Sequence, residues 1–215
     1  MAEFFVGYAD TPPRTKRFAL IAGAVLLVVV VAAGLGWALT QRRAGTATWD
    51  ITTVVERQGI LQVSPYGMLH TRDASGGWTT TLLVEDGKLG LRAQASSLDG
   101  RSVKVRGTLL GRAGEEMLAL VPSADAVLGV SARPTEVAPR VDGGEITLVG
   151  RVVDSKCFLG AMKPGDGSGH RPCAELCLKG GIPPVLVTED PAHPYVLLAA
   201  ADGGPANIPT LLPKV

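Results

Sequence analysis

Residues Phe18 to Thr40, FALIAGAVLLVVVVAAGLGWALT, run for 23 positions without a charged side chain. Nothing else in the chain limits its fold as sharply. At about 1.5 Å per residue, a helix of this length crosses a hydrocarbon core roughly 30 Å thick. Arg14, Lys16 and Arg17 precede the run, and Arg42 and Arg43 follow it. The excess of one basic residue on the N-terminal side points to a cytoplasmic N-terminus. A cleaved signal peptide is the rival reading, but the run is longer than the usual apolar region of about 7–15 residues, and TQRRAG lacks a small-residue cleavage pattern. The expectation is a bacterial inner-membrane protein with a single span. Residues 1–17 form a cytoplasmic tail, 18–40 the transmembrane helix, and everything from residue 44 onward is periplasmic.

Charge is unevenly divided along the chain. The net charge is +1, yet residues 1–43 hold five basic and two acidic side chains, which leaves sixteen against eighteen beyond them. A nearly neutral exported portion of mixed charge reads as a solvated surface and gives no basic face for nucleic acid. About 170 residues are enough for one or two small cores.

The exported portion reads as β-rich. TWDITTVVERQGILQVS carries β-branched residues on both sides of Gly59, as in a long strand bent there by a bulge or tight coil. WTTTLLVEDGKLGLRA leads a strand into the turn dipeptide Asp86-Gly87. SVKVRGTLLGRAGEEMLALV reads as a hairpin, with Val103, Val105 and Leu109 alternating against Lys104 and Arg106. A Pro/Gly-rich passage places a linker at 133–144, between a first β domain at 44–132 and a second at 145–215. EITLVGRVVD, PVLVTED and YVLLAAD supply strands to the second, and VKVRGTLLGR and ITLVGRVVDSK share a pattern consistent with duplication. The fold class is therefore mainly β: an N-terminal transmembrane helix, then one or two small OB-like β-barrel (or β-sandwich) domains, with a short helix in the second.

An anchor followed by an OB-type barrel resembles the architecture of the haem chaperone of cytochrome c maturation. That family's His-x-x-x-Tyr haem attachment is absent, and His193-Pro194-Tyr195 has the wrong spacing, so the resemblance does not imply haem. The block from DSKCFLG through HRPCAELC to GGIPP is similar to segments of membrane-anchored bacterial proteins without an assigned activity.

All three cysteines, Cys157, Cys173 and Cys177, lie within twenty-one residues, and His170 stands among them. In HRPCAELCLKGG, Pro172 suits the first helical turn and Gly180 or Gly181 the C-terminal cap, so a helix of about two turns sets Cys173 and Cys177 at i and i+4 on one face. Cys157 arrives from a strand end across the KPGDGSG loop. Helical i,i+4 pairs sit too far apart for an unstrained disulfide, so a bond would join Cys157 to Cys173 or to Cys177 and leave one thiol over. Three uses compete. One is a structural disulfide with a buried spare cysteine. Another is a metal site of Cys157, His170, Cys173 and Cys177, a Cys₃His set that suits zinc or copper. The third is thiol–disulfide exchange with Cys173, at the helix N-terminus, as attacking thiol.

The Cys-x₃-Cys spacing resembles the ligands of exported copper-handling proteins, although their downstream histidine is missing and His170 lies upstream instead. Met162 is a packing residue by its setting, and Trp49, Tyr66 and Trp78 are barrel-core or surface aromatic residues. His70 reads as a strand-end residue, and His193, ahead of Pro194, as part of a turn. Asp154, Lys156 and Glu175 can orient His170 or tune the thiols. GKLG and GGIPP lack the setting of a phosphate loop. With no catalytic set to assemble, the expected role is an anchored accessory or binding protein with a metal or redox site, a subunit of a membrane oxidoreductase complex. A thiol-disulfide redox protein and a purely structural interaction subunit are the alternatives. Were the topology inverted, a reducing cytosol would remove the disulfide readings and strengthen zinc.

Overall fold

The computed structural model describes residues 10–40, 46–129 and 141–215. Its two compact units are Met1–Arg43 and Ala44–Val215. In the first, a single helix, α1, covers Pro13–Thr40. Its first position is a proline, whose fixed φ suits a helix start, so the basic residues Arg14, Lys16 and Arg17 lie on the opening turns rather than in a preceding tail. The helix is long and apolar enough to cross a bilayer.

The second unit is built on one closed barrel. Strand β1 (Thr48–Gln62) pairs antiparallel with β2 (Met68–Arg72), and β2 with β3 (Trp78–Val84). β4 (Ser102–Arg112) and β5 (Glu115–Leu120) form the expected hairpin, turned by Ala113 and Gly114, both at positive φ. β5 then runs parallel to β3, and β4 antiparallel to β1, which closes the ring in the order of an OB fold. A short β6 (Val127–Gly129) edges β4 where β5 leaves it. The β1 bulge falls between Trp49 and Val54, not at Gly59. Gly59 is required for close approach instead, since a Cβ there would lie 2.5 Å from the His70 carbonyl oxygen.

Period-two alternation sorts the strand residues into two cores. Leu61, Leu69, Leu83, Val103, Val105, Leu118 and Leu120 form one cluster, the barrel interior, with Leu109 partly buried against it. Their neighbours Met68, Leu82, Val84, Leu110, Met117 and Ala119 point the other way and join Val153, Phe158, Leu159, Ile182 and Val185 in a second. Burying each such side chain contributes about 1.5–3 kcal/mol.

That second cluster corrects the domain expectation. The later residues form no second barrel among those described. They make a three-stranded antiparallel sheet, β7 (Gly150–Asp154), β8 (Pro184–Thr188) and β9 (Tyr195–Leu197), which shares its core with the barrel's outer face. Most of the expected 133–144 linker, residues 133–140, lies outside the described residues, and 141–144 are irregular. Helix α2 (Arg171–Lys179) is the short helix read from HRPCAELCLKGG, with Gly181 at φ 92° just past its end. A last turn of helix, α3 (Ile208–Leu211), lies in the Pro/Gly-rich tail, which Tyr66 ties down: its hydroxyl accepts from Ala206 N–H (2.9 Å) and donates to the Leu198 carbonyl (3.0 Å).

Candidate metal centre

Cys157 opens a wide turn after β7, closed by the Met162 N–H on its own carbonyl at 3.3 Å. Asp154, the last residue of β7, fixes that turn: one carboxylate oxygen accepts the Cys157 N–H at 2.9 Å. Its other oxygen lies 3.0 Å from His170 Nε2. Asp154 is fully buried and His170 is 5% exposed, so this pairing replaces water for both groups. The His170 carbonyl in turn receives the N–H groups of Cys173 (2.9 Å) and Ala174 (3.1 Å), which starts α2. Gly165, from the KPGDGSG loop, passes so close over the Cys157 carbonyl that a Cβ would sit 2.2 Å from its oxygen.

Cys157 lies beside both of the other cysteines. Cys157 Sγ lies 3.8 Å from Cys177 Sγ and 4.0 Å from Cys173 Sγ, and all three are free thiols. Those separations are about twice a disulfide bond of roughly 2.05 Å. Each of the two is close to the spacing of a sulfur pair on a tetrahedral ion, where metal–sulfur bonds of about 2.3 Å set sulfurs about 3.8 Å apart. Two overlapping sets of ligand atoms result, each mutually within 4.8 Å: Cys157, His170 and Cys173, and Asp154, Cys157 and Cys177. Cys157 is common to both. Asp154, anticipated as an orienting residue, is thus also within ligand reach.

Lys88 was not anticipated. Its ammonium, carried on the turn after β3, donates to Cys173 Sγ at 2.7 Å and stands 3.8 Å from Cys177 Sγ. What brings it there is a crossing of two backbones, where Gly90 N–H donates to the Gly180 carbonyl at 2.9 Å. A Cβ on Gly180 would fall 1.8 Å from the Lys88 oxygen, and one on Gly90 2.3 Å from the Gly181 oxygen. GKLG and GGIPP are therefore each other's contact surface. Lys156, 2% exposed, secures the same turn by donating to the carbonyls of Glu85 (2.8 Å) and Gly87 (2.7 Å).

These contacts separate the thiols electrostatically. The hydrogen bond from Cys157, with help from the Lys88 charge, draws the Cys177 thiol below its ordinary range. The same bond and burial push Cys157 well above it. Within the Cys157–Cys177 pair the thiolate is therefore favoured at Cys177, on the second turn of α2. Burial lowers the Lys156 amine.

Other residues weighed from the sequence stand apart. His70 bonds to Thr80 and Gln62 on the barrel wall, and His193 pairs with Asp190 in a turn. Met162 is 44% exposed and does not pack. Trp49 Nε1 donates to Thr108 Oγ1 at 2.9 Å, Arg72 lies over Trp78, and Glu175 pairs with Arg171 and Lys179 on the outer face of α2. No family model matches this chain, and no curated protein or solved structure matches it either.

Proposed function

We propose that this chain is a membrane-anchored metal-binding protein whose exported OB-type unit holds one thiophilic ion at Cys157, His170, Cys173 and Cys177. The observation that carries this reading is the placing of Cys157 Sγ at 3.8 and 4.0 Å from the other two sulfurs, with His170 held by a buried carboxylate. A carboxylate on one ring nitrogen fixes the tautomer and leaves coordination to the other, a recurrent support for metal-bound histidine. Charge favours a divalent ion. Three thiolates beside the Lys88 ammonium carry two net negative charges, which zinc cancels and monovalent copper only halves.

The anchor, the near-neutral surface and a site closed by four protein ligands together suit an accessory subunit of a membrane oxidoreductase complex rather than an enzyme acting alone. Thiol–disulfide exchange is the second reading, favoured by one observation: Cys157 stands nearly equidistant from two thiols, one of them drawn toward its thiolate.

One preparation separates the two. The full chain, purified in mild detergent under reducing conditions, is expected to hold about one equivalent of metal, and to lose it on His170→Ala. Three reactive thiols without metal, or two blocked cysteines and one free thiol, overturn the metal reading. Recovery of the chain as a lone monomer, with no co-purifying protein, counts against the accessory role. The mass of the mature chain separates a retained anchor from a cleaved leader, and a C-terminal phosphatase fusion, active only outside the cytoplasm, reports the side.

A further inference from the structure

The segment EITLVGR, residues 145–151, reads as a strand from its sequence, yet the strand begins only at Gly150. Among the described residues, 145–149 have no backbone hydrogen-bond partner. Ile146 is 53% and Val149 88% exposed, with Leu148 half-buried. Among the described residues, β7 is also an edge of its sheet, paired on one side only, with β8. A long, β-branched edge with open N–H and C=O groups is a template for another strand.

The sequence of this edge says which strand. Folded back on itself antiparallel about Leu148, it sets Glu145 opposite Arg151 twice, Thr147 opposite Val149 twice, Ile146 opposite Gly150 twice, and Leu148 opposite itself. Opposite charges and β-branched partners are the favoured cross-strand pairs, and a self-complementary patch is what a two-fold dimer requires. Arg151 is 47% exposed at its side chain and already pairs with Asp166 at 2.6 Å, but its guanidinium has donors for both carboxylates.

We propose that residues 145–151 are a dimerisation edge through which two copies of this chain pair antiparallel about Leu148. Each three-stranded sheet then becomes half of a continuous six-stranded one, which exceeds the minimum that stabilises a strand pair. The pairing uses none of the metal ligands.

Charge exchange tests it, and Glu145→Arg, which keeps the Arg151–Asp166 pair, is the control for the pair that Arg151→Glu gives up. In detergent at about 10 µM, light scattering on the full chain is expected to give a dimer, and Glu145→Arg or Arg151→Glu alone to weaken it by about tenfold or more. Mixed together, the two variants restore the dimer, because every Arg then faces a Glu. A wild-type monomer overturns the proposal. So does dimerisation that ignores both substitutions, as association through α1 alone would, and so does a mixture that fails to pair.

Discussion

The barrel interior and the flank that carries the cysteines are both sealed from water, but by opposite means. Inside the barrel the seal is leucine and valine, with Leu61, Leu69, Leu83, Val103, Val105 and Leu118 all fully buried. On the flank, Asp154, Ser155, Lys156 and His170 are buried within a run that also contains Cys157. Burying such groups costs free energy that only well-made partners offset. Asp154 has two partners and Lys156 two carbonyls. The barrel is thus built for stability, and the flank uses that stability to hold groups that would otherwise stay in water. A concentration of buried polar groups beside three thiols is what makes this flank the candidate site.

This division can be broken from either side. The largest effect is expected at Cys157, the member common to both ligand sets. Cys157→Ser should take bound metal from about one equivalent to none by elemental analysis, while the barrel stays folded by circular dichroism. In the interior, Leu83→Ala or Leu118→Ala should cost about 2–5 kcal/mol in denaturant unfolding and leave the metal stoichiometry unchanged. Loss of metal in the leucine variants at temperatures where they remain folded would show that the two regions are not separate in role.

Asp154→Asn should weaken metal by about 10–100-fold in chelator competition, because it releases His170 from its orienting charge. Acidity gives a finer measure. Thiolate absorbance of the metal-free protein should rise in separate steps, the first below the ordinary cysteine range, and Cys177→Ser should remove that first step. The sign follows from the lowered value. Ionised Cys177 stabilises the folded metal-free state at pH above the ordinary thiol range, and this contribution is lost as pH falls through its own depressed pKa. The smallest effect belongs to Lys88→Gln, expected to raise that first step and to weaken metal by less than about tenfold, since the ammonium approaches sulfur from a solvent-exposed turn.

Much of this was legible in the chain because local pattern encodes it. Alternation at Val103 to Arg106 gave the β4–β5 hairpin, and Pro172 with Gly181 bracketed α2 and so placed Cys173 and Cys177 on it. The grouping of Cys157, His170, Cys173 and Cys177 was readable from their crowding in the chain. Contacts between distant segments were not. Met68, Leu82 and Met117 look like ordinary outward residues of a small barrel, and nothing in their spacing says that a second sheet covers them. Lys88 lies 85 residues before Cys173, and the glycines that let the two approach seemed unrelated loop residues. EITLV carried a strand pattern without a partner strand, since periodicity reports what a segment can form and not whether another lies beside it.

The crossing of Gly90 against Gly180 and Gly181 bears on how such a site can be inherited. Small zinc modules often travel between proteins as self-sufficient inserts. Here the cysteines and His170 come from residues 157–177, but the cation beside them and half of the covering core come from the barrel. A fragment carrying only the cysteines would lose both its counter-charge and its lid. Whatever chemistry the cysteines carry therefore depends on both halves of the unit together.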